Sequence, residues 1–175
     1  MRVIGGEFRS RRLKSIPGLD TRPTPDRLRE TLFNILGPRV AGAVFLDAYA
    51  GTGAVGIEAL SRGAARAIFI ERSKSAGKVI LENLASLEIQ NRALLVTGPV
   101  ASTLARHKAD IVFLDPPYDR EAEYAATLGT LGEDPPNLTI VQHSVRFIPA
   151  DSFGSLRKTR LVKHGDNALS FYTAS

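Results

Sequence analysis

The chain of 175 residues contains no cysteine, which excludes disulfides and thiolate metal centres and suits a reducing compartment. No apolar run approaches the roughly 20 residues that a membrane-spanning helix needs. The start, Met1-Arg2-Val3-Ile4-Gly5-Gly6, has neither the apolar stretch nor the small-residue cleavage site of a secretory signal. The three histidines stand apart without ligand spacing, so no metal is expected. What remains is an ordinary globular composition, 43% hydrophobic and 23% charged, of a length that buries one full core. A cytoplasmic protein with no membrane attachment is the expectation.

The net charge is +5, and its distribution says more than its size. Residues 1–40 hold Arg2, Arg9, Arg11, Arg12, Lys14, Arg22, Arg27, Arg29 and Arg39 against only Glu7, Asp20, Asp26 and Glu30. The rest of the chain is balanced. Concentrated positive charge attracts a phosphate backbone through counterion release and steering. A well-solvated basic segment would look the same from charge alone.

From Val44 onward, short apolar runs alternate with helix-like stretches. Val44–Leu46, Ala67–Ile70, Leu94–Val96, Ile111–Leu114 and Leu138–Val141 read as strands covered on both faces. A helix follows the first over roughly Gly53–Arg62, and Ser73 is placed to cap the next, with Val79, Leu84 and Leu87 inward. Two further strands near Thr159–Lys163 and Ala168–Thr173, joined by Gly165-Asp166-Asn167, form an antiparallel hairpin. At the other end, Gly5-Gly6 between short strands suggests a small basic hairpin. Thr24-Pro25 should then start a helix with Leu28, Leu32, Ile35 and Leu36 on one face, ended by Gly37-Pro38. The expected architecture is α/β and Rossmann-like: a seven-stranded, mostly parallel sheet with helices on both faces and a C-terminal antiparallel hairpin. Residues 1–175 form one domain, with 1–23 as a basic hairpin appendage and 24–175 as helix plus core.

Asp47-Ala48-Tyr49-Ala50-Gly51-Thr52-Gly53-Ala54-Val55-Gly56 lies where the first strand ends, at the edge where open α/β sheets bind ligands. Gly51 and Gly53 permit a tight turn and close approach of a ligand, and Glu71 ends the next strand where an acid can hold both ribose hydroxyls. This pattern fits a nicotinamide dinucleotide as well as S-adenosylmethionine. Asp47 favours the second, because that cofactor carries an ammonium group where a dinucleotide has only phosphates. Alternatively, Asp47 simply bonds backbone N–H groups of the glycine turn.

Asp115-Pro116-Pro117-Tyr118 follows the fourth strand and should emerge at the same edge. An exocyclic base amine is a poor nucleophile because its lone pair is delocalised into the ring. The Asp115 carboxylate and the Pro116 carbonyl can accept hydrogen bonds from that amine and aim its lone pair. Pro116 and Pro117 stiffen the backbone, and Tyr118 offers a stacking face. Such chemistry rests on positioning and on stabilising charge at nitrogen.

Arg2–Gly6, Arg22–Asn34, the glycine loop with Glu58–Gly63, Asp115–Tyr118 and Gly165–Tyr172 together resemble the RsmD-type family. Its members are class I S-adenosylmethionine-dependent methyltransferases acting on the guanine N2 of 16S ribosomal RNA at position 966. The resemblance runs through nearly the whole chain, and the N-terminal block is its most specific part. It implies S-adenosylmethionine as cofactor, S-adenosylhomocysteine as product, no metal, and a monomer acting on ribosomal RNA or the assembling small subunit. It places Asp47, Tyr49, Gly51, Gly53, Glu71, Arg72, Pro99 and Val100 around the cofactor, and Asp115, Pro116, Pro117 and Tyr118 on the guanine. Arg2, Arg9, Arg11, Arg12, Arg22, Thr24 and Arg27 would meet RNA. Two positions depart from the family pattern. Gly98-Pro99-Val100 stands where an acid usually faces the adenine, and Gln142 where a glutamate is expected. His143 reads as structural. The competing readings are a DNA or RNA adenine or cytosine amino-methyltransferase, a nicotinamide-dependent oxidoreductase, and a non-catalytic RNA-binding module.

Overall fold

Each continuous apolar run becomes a strand because its alternate side chains enter cores on opposite faces of one sheet. On β1 (Val44–Ala48), Phe45 packs with one core while Leu46 and Ala48 pack with the other. The computed structural model describes residues 1–17 and 25–175; Arg22 and Thr24 lie outside these. The further strands are β2 (Arg66–Glu71), β3 (Ala93–Thr97), β4 (Ile111–Leu114), β5 (Leu138–Ser144), β6 (Ser152–Phe153), β7 (Leu156–His164) and β8 (Asn167–Ala174). They form one sheet in the order β3-β2-β1-β4-β5-β8-β7-β6, parallel through β5 and antiparallel beyond it. The direction of winding reverses between β1 and β4, which creates a crevice beyond their carboxyl ends.

Helices α1 (Asp26–Leu36), α2 (Ala54–Ser61) and α3 (Lys74–Ser86) cover one face. The short α4 (Val100–Thr103) and α5 (Glu121–Glu133) cover the other. Ser73 caps α3 as expected, its hydroxyl accepting from the Ala76 amide at 3.3 Å. Among the described residues, no helix is long and apolar enough to cross a membrane.

Three expectations need correction. Among the described residues the sheet has eight strands rather than seven, because β6 adds a two-residue edge strand too short to show any periodicity. Pro25 is the N-cap of α1 rather than its first helical residue. The N-terminal hairpin is a turn with one bridge, Arg2 to Arg12, instead of two regular strands. Its backbone pairs Val3 N–H with Arg11 O and Leu13 N–H with Met1 O, both at 2.9 Å.

That arm is tied to the core by buried polar groups. Glu58, inside α2, accepts from the amides of Ile4 at 2.8 Å and Gly5 at 2.9 Å. The same carboxylate pairs with Arg62 at 2.9 Å and with Arg29 at 3.5 Å. Arg29 is fully buried, so it belongs to this structural network and not to the exposed basic surface. Asn83 on α3 brackets Lys14, accepting from its amide at 2.7 Å and donating to its carbonyl at 3.2 Å. It also donates to Thr52 O in the glycine loop at 3.0 Å, which joins arm to loop through one side chain.

Candidate cofactor and base site

Strand register brings the two motifs together. Asp47 pairs with Phe113 and Ala48 with Leu114, so Tyr49 and Asp115 leave neighbouring strands at the same edge. Asp115 is close enough for its charge to act on the Asp47 carboxyl. A second link crosses the rim, where the Tyr49 hydroxyl donates to Glu123 Oε2 at 2.7 Å from the first turn of α5. Burial foremost, then the bond to that carboxylate, pushes the Tyr49 phenol well above its ordinary range.

The glycines of the loop divide their work. Gly51 adopts φ +58°, and a Cβ there would meet nothing within 4 Å, so its backbone faces open space. Gly56 instead lets α2 sit on the sheet, since a Cβ would fall 2.4 Å from the Phe69 ring. Glu71 accepts from the Gly51 amide at 2.7 Å and the Ser73 amide at 3.0 Å. It remains half-buried, and each oxygen keeps a lone pair for a ligand hydroxyl. Asp47 is 2% exposed and accepts from the Gly56 amide at 2.9 Å, bracing the start of α2 from beneath. Burial foremost, and then the charges of Asp115 and Glu71, hold its carboxyl well above the usual range. Glu71 and Asp115 leave carboxylates open at the rim, a field suited to a cation and hostile to a diphosphate, while Asp47 is buried beneath it.

On the base side, Asp115 is partly exposed, Pro116 buried and Pro117 exposed. Tyr124 of α5 reaches the Pro116 carbonyl at 3.4 Å and the Gln142 carbonyl at 3.4 Å. Its phenol is raised by burial first and then by Asp115 and Tyr118. Tyr118 is half-buried, its hydroxyl donating to Asn167 Oδ1 at 2.6 Å and accepting from Gln142 Nε2 at 3.3 Å. His143 is fully buried, with Nδ1 on Ser144 O at 2.9 Å and Nε2 on the Ser170 hydroxyl at 2.7 Å. Burial lowers its pKa, in keeping with a neutral structural imidazole.

Arg72 is exposed next to Glu71, Pro99 is exposed as the N-cap of α4, and Val100 is 4% exposed within the core. Arg2, Arg9, Arg11, Arg12 and Arg27 are exposed. Arg2 pairs loosely with Asp26 at 3.7 Å, and Arg11 donates to Ser86 O at 2.9 Å. No group of residues able to hold a metal occurs among the described residues. Sequence reading missed Tyr124, Glu123 and Asn167. The first two lie on a helix whose small residues give little amphipathic pattern, and Asn167 looked like a turn residue only.

A family model described as Conserved hypothetical protein 95 matches residues 1–173. The Bacillus subtilis protein YlbH, provisionally named an rRNA methyltransferase, is 34% identical over 181 residues covering 98% of each chain. Ribosomal RNA small subunit methyltransferase D of Escherichia coli K12 is 47% identical over 124 residues, 69% of this chain and 61% of that one. Among solved structures, the Escherichia coli protein yhhF, provisionally called a methyltransferase, matches with TM-score 0.85 and 36% identity, covering 100% of this chain and 98% of its own. The Thermus thermophilus hypothetical protein TTHA0928 matches with TM-score 0.81 and 30% identity over 98% of each chain.

Proposed function

The chain belongs to the Conserved hypothetical protein 95 family, the RsmD-type methyltransferases, and on that premise we propose that it methylates ribosomal RNA of the small subunit. The favoured product is an N2-methylated guanine at position 966 of 16S ribosomal RNA. The observation that carries this reading is the meeting of the glycine loop and Asp115–Tyr118 at one sheet edge, fixed by the pairing of Asp47 with Phe113 and Ala48 with Leu114.

The residues fit S-adenosylmethionine. Gly51 is open where a ligand would approach, Glu71 keeps acceptor capacity, and the carboxylates of Glu71 and Asp115 favour a positive group over the phosphates of a nicotinamide dinucleotide. When bound, that cofactor supplies an electrophilic methyl group on a sulfonium. Glu71 would hold its ribose hydroxyls, and the backbone at Gly51 would lie against it.

On the other side, Asp115 and the Pro116 carbonyl would accept the two N–H bonds of the guanine amine. The long contact from Tyr124 leaves the Pro116 oxygen a second lone pair for this. Accepting both protons aims the nitrogen lone pair, and the Asp115 carboxylate stabilises positive charge as it develops on nitrogen. Tyr118 would stack against the base and hold it in line. Exposed Arg9 and Arg12, with Arg2, Arg11 and Arg27, would contact phosphates.

The test incubates purified protein and labelled S-adenosylmethionine with 16S ribosomal RNA, free and in small-subunit particles. Nucleoside mass spectrometry then identifies the product. A methyl group on guanine N2 is expected. Label on adenine or cytosine would favour the amino-methyltransferase alternative, and no label on either substrate would reject the reading. Calorimetry should also detect S-adenosylhomocysteine binding and no nicotinamide dinucleotide binding.

A further inference from the structure

The resemblance to the family includes the block Gly165–Tyr172, yet the chemistry above uses none of it. Ala168 to Tyr172 are buried and build the core. Asn167 differs. It opens β8 opposite Ser144, and the turn before it is locked to the end of β5 by Val145 N–H on Asp166 O at 3.0 Å. This places the hairpin tip at the same sheet edge as Asp115, and there Asn167 Oδ1 meets the Tyr118 hydroxyl at 2.6 Å.

We infer that Asn167 is a positioning residue for Tyr118, with Gln142 setting the direction of the phenolic proton, so that the C-terminal hairpin completes the base site. The inference rests on the methyltransferase reading above. The direction follows from donor inventory. A phenol has one proton, and the Gln142 amide nitrogen can only donate, so the Tyr118 oxygen accepts there at 3.3 Å and gives its proton to Asn167. The ring is thereby pinned at the end farthest from its backbone, where two bonds set the tilt of its face. A ring meant to stack a splayed-out base needs that orientation before the base arrives.

The arrangement also gives Gln142 a role. A carboxylate there could only accept, and Tyr118 would then have two acceptors for one proton unless the Asn167 amide turned over. Gln142 removes that ambiguity while Asn167 keeps its carbonyl toward the ring.

The experiment measures methylation kinetics, S-adenosylhomocysteine affinity and melting temperature for Asn167→Ala, Asn167→Asp, Tyr118→Phe and the Asn167→Ala/Tyr118→Phe double variant. The tyrosine-ring NMR spectrum is recorded alongside, with the Tyr118 resonance among the four tyrosines identified from Tyr118→Phe. Expected are a kcat reduced about 10- to 100-fold in Asn167→Ala, unchanged cofactor affinity, and a melting temperature within a few degrees of the parent. Asn167→Asp, which keeps the acceptor, should recover most of that loss. In the Tyr118→Phe background, Asn167→Ala should cost nothing more, since both changes break one link. A turn with a merely structural role would lose stability instead, and its effect would persist without the Tyr118 hydroxyl. The inference is overturned by full kcat in Asn167→Ala, by an additive double variant, or by a Tyr118 resonance unmoved in Asn167→Ala. Parent protein that methylates no ribosomal RNA sinks the methyltransferase reading alone, because the NMR comparison still decides whether Asn167 holds the ring.

Discussion

Asp115 directly follows β4 and Asp47 lies on the neighbouring β1, yet their surroundings differ. Asp115 is partly exposed at the rim, whereas Asp47 is shut beneath the glycine loop on the Gly56 amide. Asp115→Ala should therefore reduce kcat by roughly 100–1,000-fold, the range for removing one group that stabilises transition-state charge. Melting temperature should hardly move, and a purified variant with full turnover would remove Asp115 from the mechanism. For Asp47 the folded pKa lies above its unfolded value, with burial as the main cause. Stability linked to this group is thus fully present below about pH 3.9 and is lost as pH rises through the folded pKa. Asp47→Asn keeps an oxygen for the Gly56 amide and discards the charge. It should raise the melting temperature at pH 7, by about 2–4 °C for each kcal/mol relieved, and the gain should vanish near pH 3.5. An equal gain at both pH values would contradict this account.

At the level of elements, legibility tracked pattern length. The parallel strands were readable because burial on both faces makes them uninterrupted apolar runs, as in Ile111–Leu114 and Ala67–Ile70. The placement of the glycine loop and Asp115–Tyr118 was readable because each directly follows one of these strands. Helix α5 was not. Its sequence mixes Ala, Gly and Thr, and Gly132 is there for close approach, a Cβ falling 2.1 Å from Phe153 O. The docking of the N-terminal arm was hidden for another reason: it depends on Glu58 and Asn83, whose partners lie 53 to 69 residues away in sequence. Glu58 satisfies two arm amides and two guanidinium groups, with Arg29 fully buried beside it. Replacing it strands a buried cation. Glu58→Ala should cost about 3–5 kcal/mol in urea unfolding, and hydrogen exchange should accelerate across the amides of residues 3–13. A loss under about 1 kcal/mol, as for exposed ion pairs, would show that the network is not what holds the arm.

Across the whole molecule, charge is sorted by location. The rim beyond β1, β2 and β4 gathers carboxylates, while the exposed guanidinium groups of Arg9, Arg11 and Arg12 sit on an arm whose Val3 and Leu13 share the main core. Because the arm is docked through buried bonds, its positive charges hold fixed places relative to the rim. Under the proposed function, that arrangement lets phosphates register the RNA while the rim selects cofactor and base. Arg9→Ala, Arg11→Ala and Arg12→Ala together should weaken RNA binding at low salt and flatten its logarithmic salt dependence. The slope should fall by up to about 2, at ~0.7 for each phosphate of single-stranded RNA that is no longer neutralised. S-adenosylhomocysteine affinity should stay at the parent value, since the glycine loop is braced by Glu71, Asp47 and Asn83. Binding titrations across a range of salt concentrations check both statements. An unchanged salt slope would mean that the RNA is gripped elsewhere. A fall in cofactor affinity would mean that the Asn83 link to Thr52 carries the arm's state into the loop.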